Sequence, residues 1–210
     1  MYYLGQELWF PDVKKASPEG LLAIGGDLTV ERVLLAYKSG IFPWFEAQEP
    51  ILWWSPDPRF VLFPKKIKVS KSMKQLLRKT KFTVTINKDF ERVIKYCAQI
   101  KRKDQLDTWI TNDMINTYMK LHELGFAKSV EVWEDNELVG GLYGVDLNNG
   151  VFSGESMFSM VNNASKVGLI YFLKHSNYKL IDCQVYTEHL ERLGAEKIPR
   201  SVFLNYLNGK

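Results

Sequence analysis

The sequence is short of the features that mark several protein classes. It has only two cysteines, Cys97 and Cys183, with no neighbouring Cys or His at zinc or redox spacing. A disulfide framework or structural metal is therefore not expected, and both thiols should be free. The three histidines, His122, His175 and His189, are scattered, and nothing in their spacing suggests a metal site or a nucleophilic triad. No run approaches the roughly 18 apolar residues of a membrane span. The start, Met1-Tyr-Tyr-Leu-Gly-Gln-Glu7, also lacks the basic-then-apolar pattern of a signal peptide. These absences predict a soluble cytoplasmic protein that uses no metal and no organic cofactor and does not bind membranes; a monomer is expected, although no feature of the sequence sets the oligomeric state. Internal repeats and low-complexity tracts are missing too.

What the chain does have is core material and an uneven charge. With 210 residues, 46% hydrophobic and 13% aromatic, it can bury one core or a small pair without covalent staples. Residues 64–103 carry 14 Lys and Arg against 2 Asp and Glu, a balance of +12 in a chain whose net charge is +4. Such a block can be a solvated face, or a surface that tracks phosphates by releasing their counterions. Lys71 and Lys74 are the first candidates for the second role, because they flank the start of a helix whose N-terminus also favours anions.

Two regions differ in pattern. Residues 1–58 are dense in Gly, Pro and aromatics, with turn signals at Pro18-Glu19-Gly20, Gly25-Gly26-Asp27 and Ser55-Pro56-Asp57-Pro58. They hold one clear helix, with Thr29 as N-cap, Val30, Val33, Leu34 and Tyr37 at helical spacing, and Gly40 as the left-handed stop. The rest of this region reads as a small lid of irregular structure. Its Phe42-Pro-Trp-Phe45 and Trp53-Trp54 clusters suit either core packing or base stacking.

From residue 59 onward, longer elements alternate. Strands are predicted near 60–62 and 82–86, and helices near 72–78, 89–99 and 112–124, the last with Ile115 and Tyr118 on one face. A meander follows at 129–133, 138–145 and 150–154, with hairpin residues at Glu134-Asp-Asn-Glu137 and Leu147-Asn-Asn-Gly150. A helix at 164–175 then leads into the apolar strand Leu180-Ile-Asp-Cys-Gln-Val185. Meander, helix, strand is the element order of the second half of a GNAT acyltransferase domain, an analogy of architecture only.

Polar residues interrupt two of these apolar strands. Glu155 stands among aromatic and thioether side chains, and Asp182 and Gln184 are two apart, which on a strand puts them on one side. Such groups are costly to bury without partners. They are either a network that satisfies buried backbone or a site that orients an amine against an ester carbonyl. Gly140-Gly141-Leu-Tyr-Gly144 falls within the predicted meander and opens no helix, so it is no phosphate cradle.

Longer stretches carry a resemblance. Glu19-Gly-Leu-Leu-Ala-Ile-Gly-Gly-Asp-Leu28, Gly40-Ile-Phe-Pro-Trp-Phe45, Ile51-Leu-Trp-Trp-Ser-Pro-Asp-Pro-Arg59, Gly154-Glu-Ser-Met-Phe-Ser159, Leu180-Ile-Asp-Cys-Gln-Val185 and Ile198-Pro-Arg200 closely resemble motifs of the leucyl/phenylalanyl-tRNA-protein transferases. The resemblance implies an α+β protein, with a small N-terminal domain over residues 1–58 and a larger GNAT-like acyltransferase domain over 59–210 built on a central, mostly antiparallel sheet. It implies transfer of Leu or Phe, less readily Met, from aminoacyl-tRNA to proteins beginning with Lys or Arg. By the same resemblance Asp182 and Gln184 match a catalytic pair, and Glu155 matches the carboxylate that holds the aminoacyl group. Tyr37, Trp44, Trp109 and Tyr118 match positions around the terminal adenosine, and Leu142, Phe152, Met157, Phe172 and Ile181 match the walls of a side-chain pocket. Position 142 is Leu where the family usually has Met.

Overall fold

The computed structural model describes residues 1–79, 81–100 and 109–209. Part of the basic block, Thr80 and residues 101–103, lies outside them. The N-terminal region contains β1 (Tyr2–Leu4), β2 (Leu21–Gly25), α1 (Val30–Lys38), β3 (Phe42–Pro43) and β4 (Leu52–Trp54). The four strands form a sheet in the order β1-β2-β4-β3. The expectation of irregular structure here is therefore corrected. These strands have only two to five residues, too few to show a period of two. The helix is as expected: Thr29 Oγ1 accepts from Arg32 N, and Gly40 follows the helix at φ 75°. That positive φ is what favours glycine there; a Cβ would in addition press on the side-chain end of Leu204, 2.7 Å away.

The remaining elements are β5 (Arg59–Leu62), α2 (Lys71–Lys79), β6 (Thr83–Ile86), α3 (Phe90–Gln99), α4 (Asn112–Glu123), β7 (Ala127–Glu134) and β8 (Glu137–Asp146). After them come β9 (Val151–Ser159), α5 (Ala164–His175), β10 (Leu180–Gln184), α6 (Glu188–Arg192), β11 (Glu196–Ile198) and α7 (Arg200–Leu207). Seven of these strands form one sheet in the order β11-β5-β10-β9-β8-β7-β6. Every neighbouring pair is antiparallel except β9 and β10. The meander, helix and strand expected from the sequence are all present. Asp89 and Thr111 cap the N-termini of α3 and α4 through their side chains, so both helices start close to where the sequence predicts them.

Both faces of the large sheet are covered. One face packs α1, α3 and α4 around Tyr37, Val93, Tyr118 and Tyr143, in a cluster that also takes in Trp53 of the N-terminal sheet. The other face packs α5, whose Leu169, Phe172 and Leu173 meet Val130, Leu142 and Phe152. That double cover explains why β8 is buried almost end to end. The glycines of the 140–144 stretch serve packing: a Cβ at Gly140 would meet Ala164 Cβ at 2.6 Å. Cys97 and Cys183 form no disulfide. Among the described residues, no helix is long and apolar enough to cross a membrane.

The sheet opens at its one parallel pair. β9 and β10 stay in register through Val151, Phe152 and Ser153, opposite Leu180, Ile181 and Asp182, and pair no further. Just beyond that point each strand carries an extra residue. Glu155 is unmatched between Gly154 and Ser156 against β8, and Cys183 is unmatched between Asp182 and Gln184 against β5. Bulges of this kind bend a strand and re-aim its side chains. Past its bulge β9 pairs with β8 again and continues to Ser159, beyond the expected end at Gly154.

Candidate active site

A cavity of about 520 Å³ lies in this opening. Leu142, Phe152, Met157, Leu169 and Ile181 give it an apolar wall, while Glu155, Asp182 and Gln184 supply the polar groups. Each polar residue sits at or beside a bulge, so the break in the sheet is what delivers them to one place.

Asp182 has no solvent exposure, and Arg59, at 1% exposure, holds it in a two-pronged ion pair. Arg59 Nε donates to Asp182 Oδ1 at 2.7 Å and Nη2 to Oδ2 at 2.7 Å. Ser153 Oγ adds a bond to Oδ2 at 3.3 Å, and the backbone N–H of Gln184 adds one to Oδ1 at 2.9 Å. Every carboxylate oxygen thus has two donors, the condition under which a buried ion pair is tolerated. The guanidinium lies between the rings of Phe42 and Phe203, 4.7 and 4.6 Å from their centroids, and Nη1 reaches the carbonyl of Gly40.

The bond to Gln184 N has a conformational consequence. Gln184 adopts φ 64°, a left-handed conformation costly for a residue with a Cβ. The expected alternation fails here, since Asp182 and Gln184 face Val61 and Phe60, consecutive residues of β5. The two side chains consequently take different partners. Asp182 turns to Arg59, and Gln184 Nε2 donates to Glu155 Oε1 at 2.7 Å.

Glu155 is held by neutral donors only. Tyr37 Oη donates to Oε1 at 2.6 Å, Tyr118 Oη donates to Oε2 at 3.1 Å, and the two phenol oxygens are 2.5 Å apart. Burial pushes the Glu155 carboxyl up to about 7, helped by the negative charge of Asp182 and opposed by the bonds from Tyr37, Tyr118 and Gln184. Burial, and then Glu155 itself, pushes both phenols well above their ordinary range, so they stay protonated. Two phenol protons cannot serve three O···O contacts, and a proton on Glu155 completes the ring. The carboxyl can therefore exist in either form near neutral pH.

The other expected site residues fall into three groups. Trp44, 38% exposed, and the buried Trp109 line the cavity with Leu142, Phe152, Met157 and Ile181. Tyr37, Tyr118 and Phe172 do not line it. The tyrosines are buried behind Glu155, and Phe172 supports the wall from behind, edge-on to Phe152 at 4.8 Å. Trp53 is fully buried and its indole N–H donates to Gly25 O, so it is core and no stacking surface. Lys71 and Lys74 stand exposed on the first turn of α2, outside this cavity. Arg59 and Ser153 were not legible as site residues. A lone cation heading the apolar strand Arg59-Phe-Val-Leu62 was the available sign, since a buried charge demands a partner.

The parting of β9 and β10 leaves an apolar cavity that ends on a buried carboxyl, which defines the class of ligand it suits: an apolar group carrying an amine or ammonium. Sequence comparison narrows that class. Residues 61–208 match the family model described as leucyl/phenylalanyl-tRNA protein transferase, and residues 26–57 match the model of its N-terminal domain. A Flavobacterium johnsoniae protein named leucyl/phenylalanyl-tRNA–protein transferase is 59% identical, with 100% of each chain covered. One of the same name from Flavobacterium psychrophilum is 55% identical over 99% of each chain. The chain belongs to the leucyl/phenylalanyl-tRNA protein transferase family and is an aminoacyltransferase. Among solved structures, a GCN5-related N-acetyltransferase from Kribbella flavida is similar at a TM-score of 0.41 and 10% identity, covering 78% of this chain and 59% of that one.

Proposed function

We propose that the chain transfers Leu or Phe, and less readily Met, from aminoacyl-tRNA to the N-terminal Lys or Arg of acceptor proteins, marking them for N-degron degradation in the cytoplasm, and that it works as a monomer. The observation that carries this reading is the cavity with an apolar wall and a single titrating carboxyl at its polar end. The apolar wall suits the donor's side chain, and Glu155 suits its α-ammonium. Trp44 and Trp109 offer stacking surfaces for the terminal adenosine, with Tyr37 and Tyr118 acting on it only through Glu155. The basic block, led by Lys71 and Lys74, receives the acceptor stem by phosphate contact. Residues 1–58 and 59–210 are read as lid-like and catalytic domains.

The reaction makes one C–N bond and breaks one C–O bond. The acceptor's neutral α-amine attacks the ester carbonyl, the ribose oxygen leaves, and the amine's proton ends on that oxygen. The ester is already activated, and an α-amine of pKa about 7.7 to 8.0 is partly neutral at cellular pH. Positioning can therefore supply much of the rate. Gln184 is the group that touches the reacting atoms. Asp182, with both oxygens already doubly bonded, acts through Gln184 by fixing its backbone.

The test is a mixing assay with labelled Leu-tRNA, acetyl-CoA and a protein bearing N-terminal Lys. Transfer of the leucyl label is expected. Acetylation with no leucyl transfer would overturn the reading in favour of a CoA enzyme, although Phe158-Ser-Met-Val-Asn-Asn-Ala164 lacks the glycines of a pyrophosphate loop.

A further inference from the structure

A second cleft, of about 650 Å³, adjoins the first. Lys68, Ser70, Lys166, Glu188, His189 and Arg192 line it, and His189 belongs to the walls of both. Lys68 and Lys166 make no ion pair among the described residues, and Arg192 is paired only with Glu188 across an exposed 2.5 Å contact. One carboxylate thus faces three cations. His189 Nε2 is buried with no hydrogen-bond partner, an unmet cost for a polar atom. Burial, then Lys166 and Arg192, holds the His189 imidazole below its ordinary range, so it is a neutral group awaiting a partner.

The cleft also has a direction. Its Lys68, Val69, Ser70 and Met73 run into α2, where Lys71, Lys74, Arg78 and Lys79 line a third, shallower hollow. Cations therefore continue from the wall of the active-site cavity to the exposed face of α2. A single carboxylate would occupy one point of such a track. A nucleic-acid strand, with one negative charge at each linkage, matches all of it.

On the reading of the main cavity as the aminoacyl-adenosine site, we propose that this cleft binds the phosphodiester that joins the donor's terminal adenosine to the nucleotide before it, through Lys68, Lys166 and the free Nε2 of His189. The cleft fixes the single-stranded end of the donor where it leaves the cavity and passes it to α2.

Three donors separate the possibilities: leucyl-adenosine, which lacks this phosphate, a leucylated CpCpA trinucleotide, and Leu-tRNA. Lys68→Ala and Lys166→Ala should each raise KM about tenfold for the trinucleotide and for tRNA, lower the salt slope by about one unit, and leave leucyl-adenosine unchanged. An equal rise for leucyl-adenosine, or no rise for any donor, would overturn the proposal. If the wild-type protein used none of the three, the reading of the main cavity would fail instead. The cleft would still be tested by following the His189 imidazole by NMR with unacylated CpCpA. CpCpA should raise its apparent pKa and adenosine should not; identical titrations would refute the site.

Discussion

The two carboxyl groups of the cavity are handled in opposite ways. Asp182 is met by a full positive charge and two neutral donors, while Glu155 meets two phenols and an amide. The first arrangement leaves no oxygen free for substrate, and the second leaves a carboxyl that titrates close to neutrality. One carboxylate is therefore spent on shape, and the other is kept for a ligand's charge. Gln184 joins them, with its backbone on Asp182 and its side chain on Glu155.

Breaking the Asp182 end should have the largest effect. Arg59→Ala leaves Asp182 buried without its cation, so urea denaturation should show a loss of about 3 to 5 kcal/mol. Asp182→Asn leaves Arg59 buried without its anion and turns an amide N–H toward donors, so it should also lower stability by a few kcal/mol; in the folded protein kcat should fall about 10²-fold with the donor's KM nearly unchanged. Gln184→Ala should match it, and the double variant should be little worse than either, because the two act as a unit. Additive losses would show that Asp182 acts independently of Gln184.

The apolar wall between the two ends comes next. Met157→Trp narrows the cavity and should lower Phe transfer relative to Leu by about 10- to 100-fold. Equal loss of both would remove Met157 from the side-chain pocket.

The smallest kinetic effect belongs to Glu155→Gln, which mimics the protonated carboxyl, keeping one acceptor oxygen and donating to a phenol where the carboxylate accepts, and which weakens the charge-assisted bond to the α-ammonium. The donor's KM should rise about three- to tenfold with kcat little changed. Its stability signature has a defined sign. The folded carboxyl titrates at about 7 and the unfolded one at 4.5, so the native state binds the extra proton between those values. Stability gained in acid is lost as pH rises from 4.5 to about 7, and Glu155→Gln should lack that decline. A parallel pH profile in the variant would mean that Glu155 is not the titrating group.

Much of the fold was legible in the sequence, and for local reasons. Thr29 announces the first helix, and Asp135-Asn136 and Asn148 take the positive φ that the two tight turns require. The N-terminal sheet was not legible. Its shortest strand, Phe42–Pro43, is two residues long and is defined only by its pairing with Trp53 and Trp54. Asp182, Gln184 and Glu155 stood out as polar residues in apolar strands, but their geometry did not. Alternation put Asp182 and Gln184 on one side, and the extra residue Cys183 broke it. Arg59 lies 123 positions from Asp182, and no local pattern connects two such residues. The clamp exists only because β5 and β10 become neighbours in the folded sheet.

The claim that Asp182 shapes the site while Glu155 answers the ligand is tested most directly by following the Glu155 carboxyl carbon by NMR across pH, with and without leucyl-adenosine. The account predicts a midpoint of about 7 in the protein alone and a shift to lower pH when the donor's ammonium is bound. A midpoint at the ordinary carboxylate value, unmoved by the donor, would contradict it.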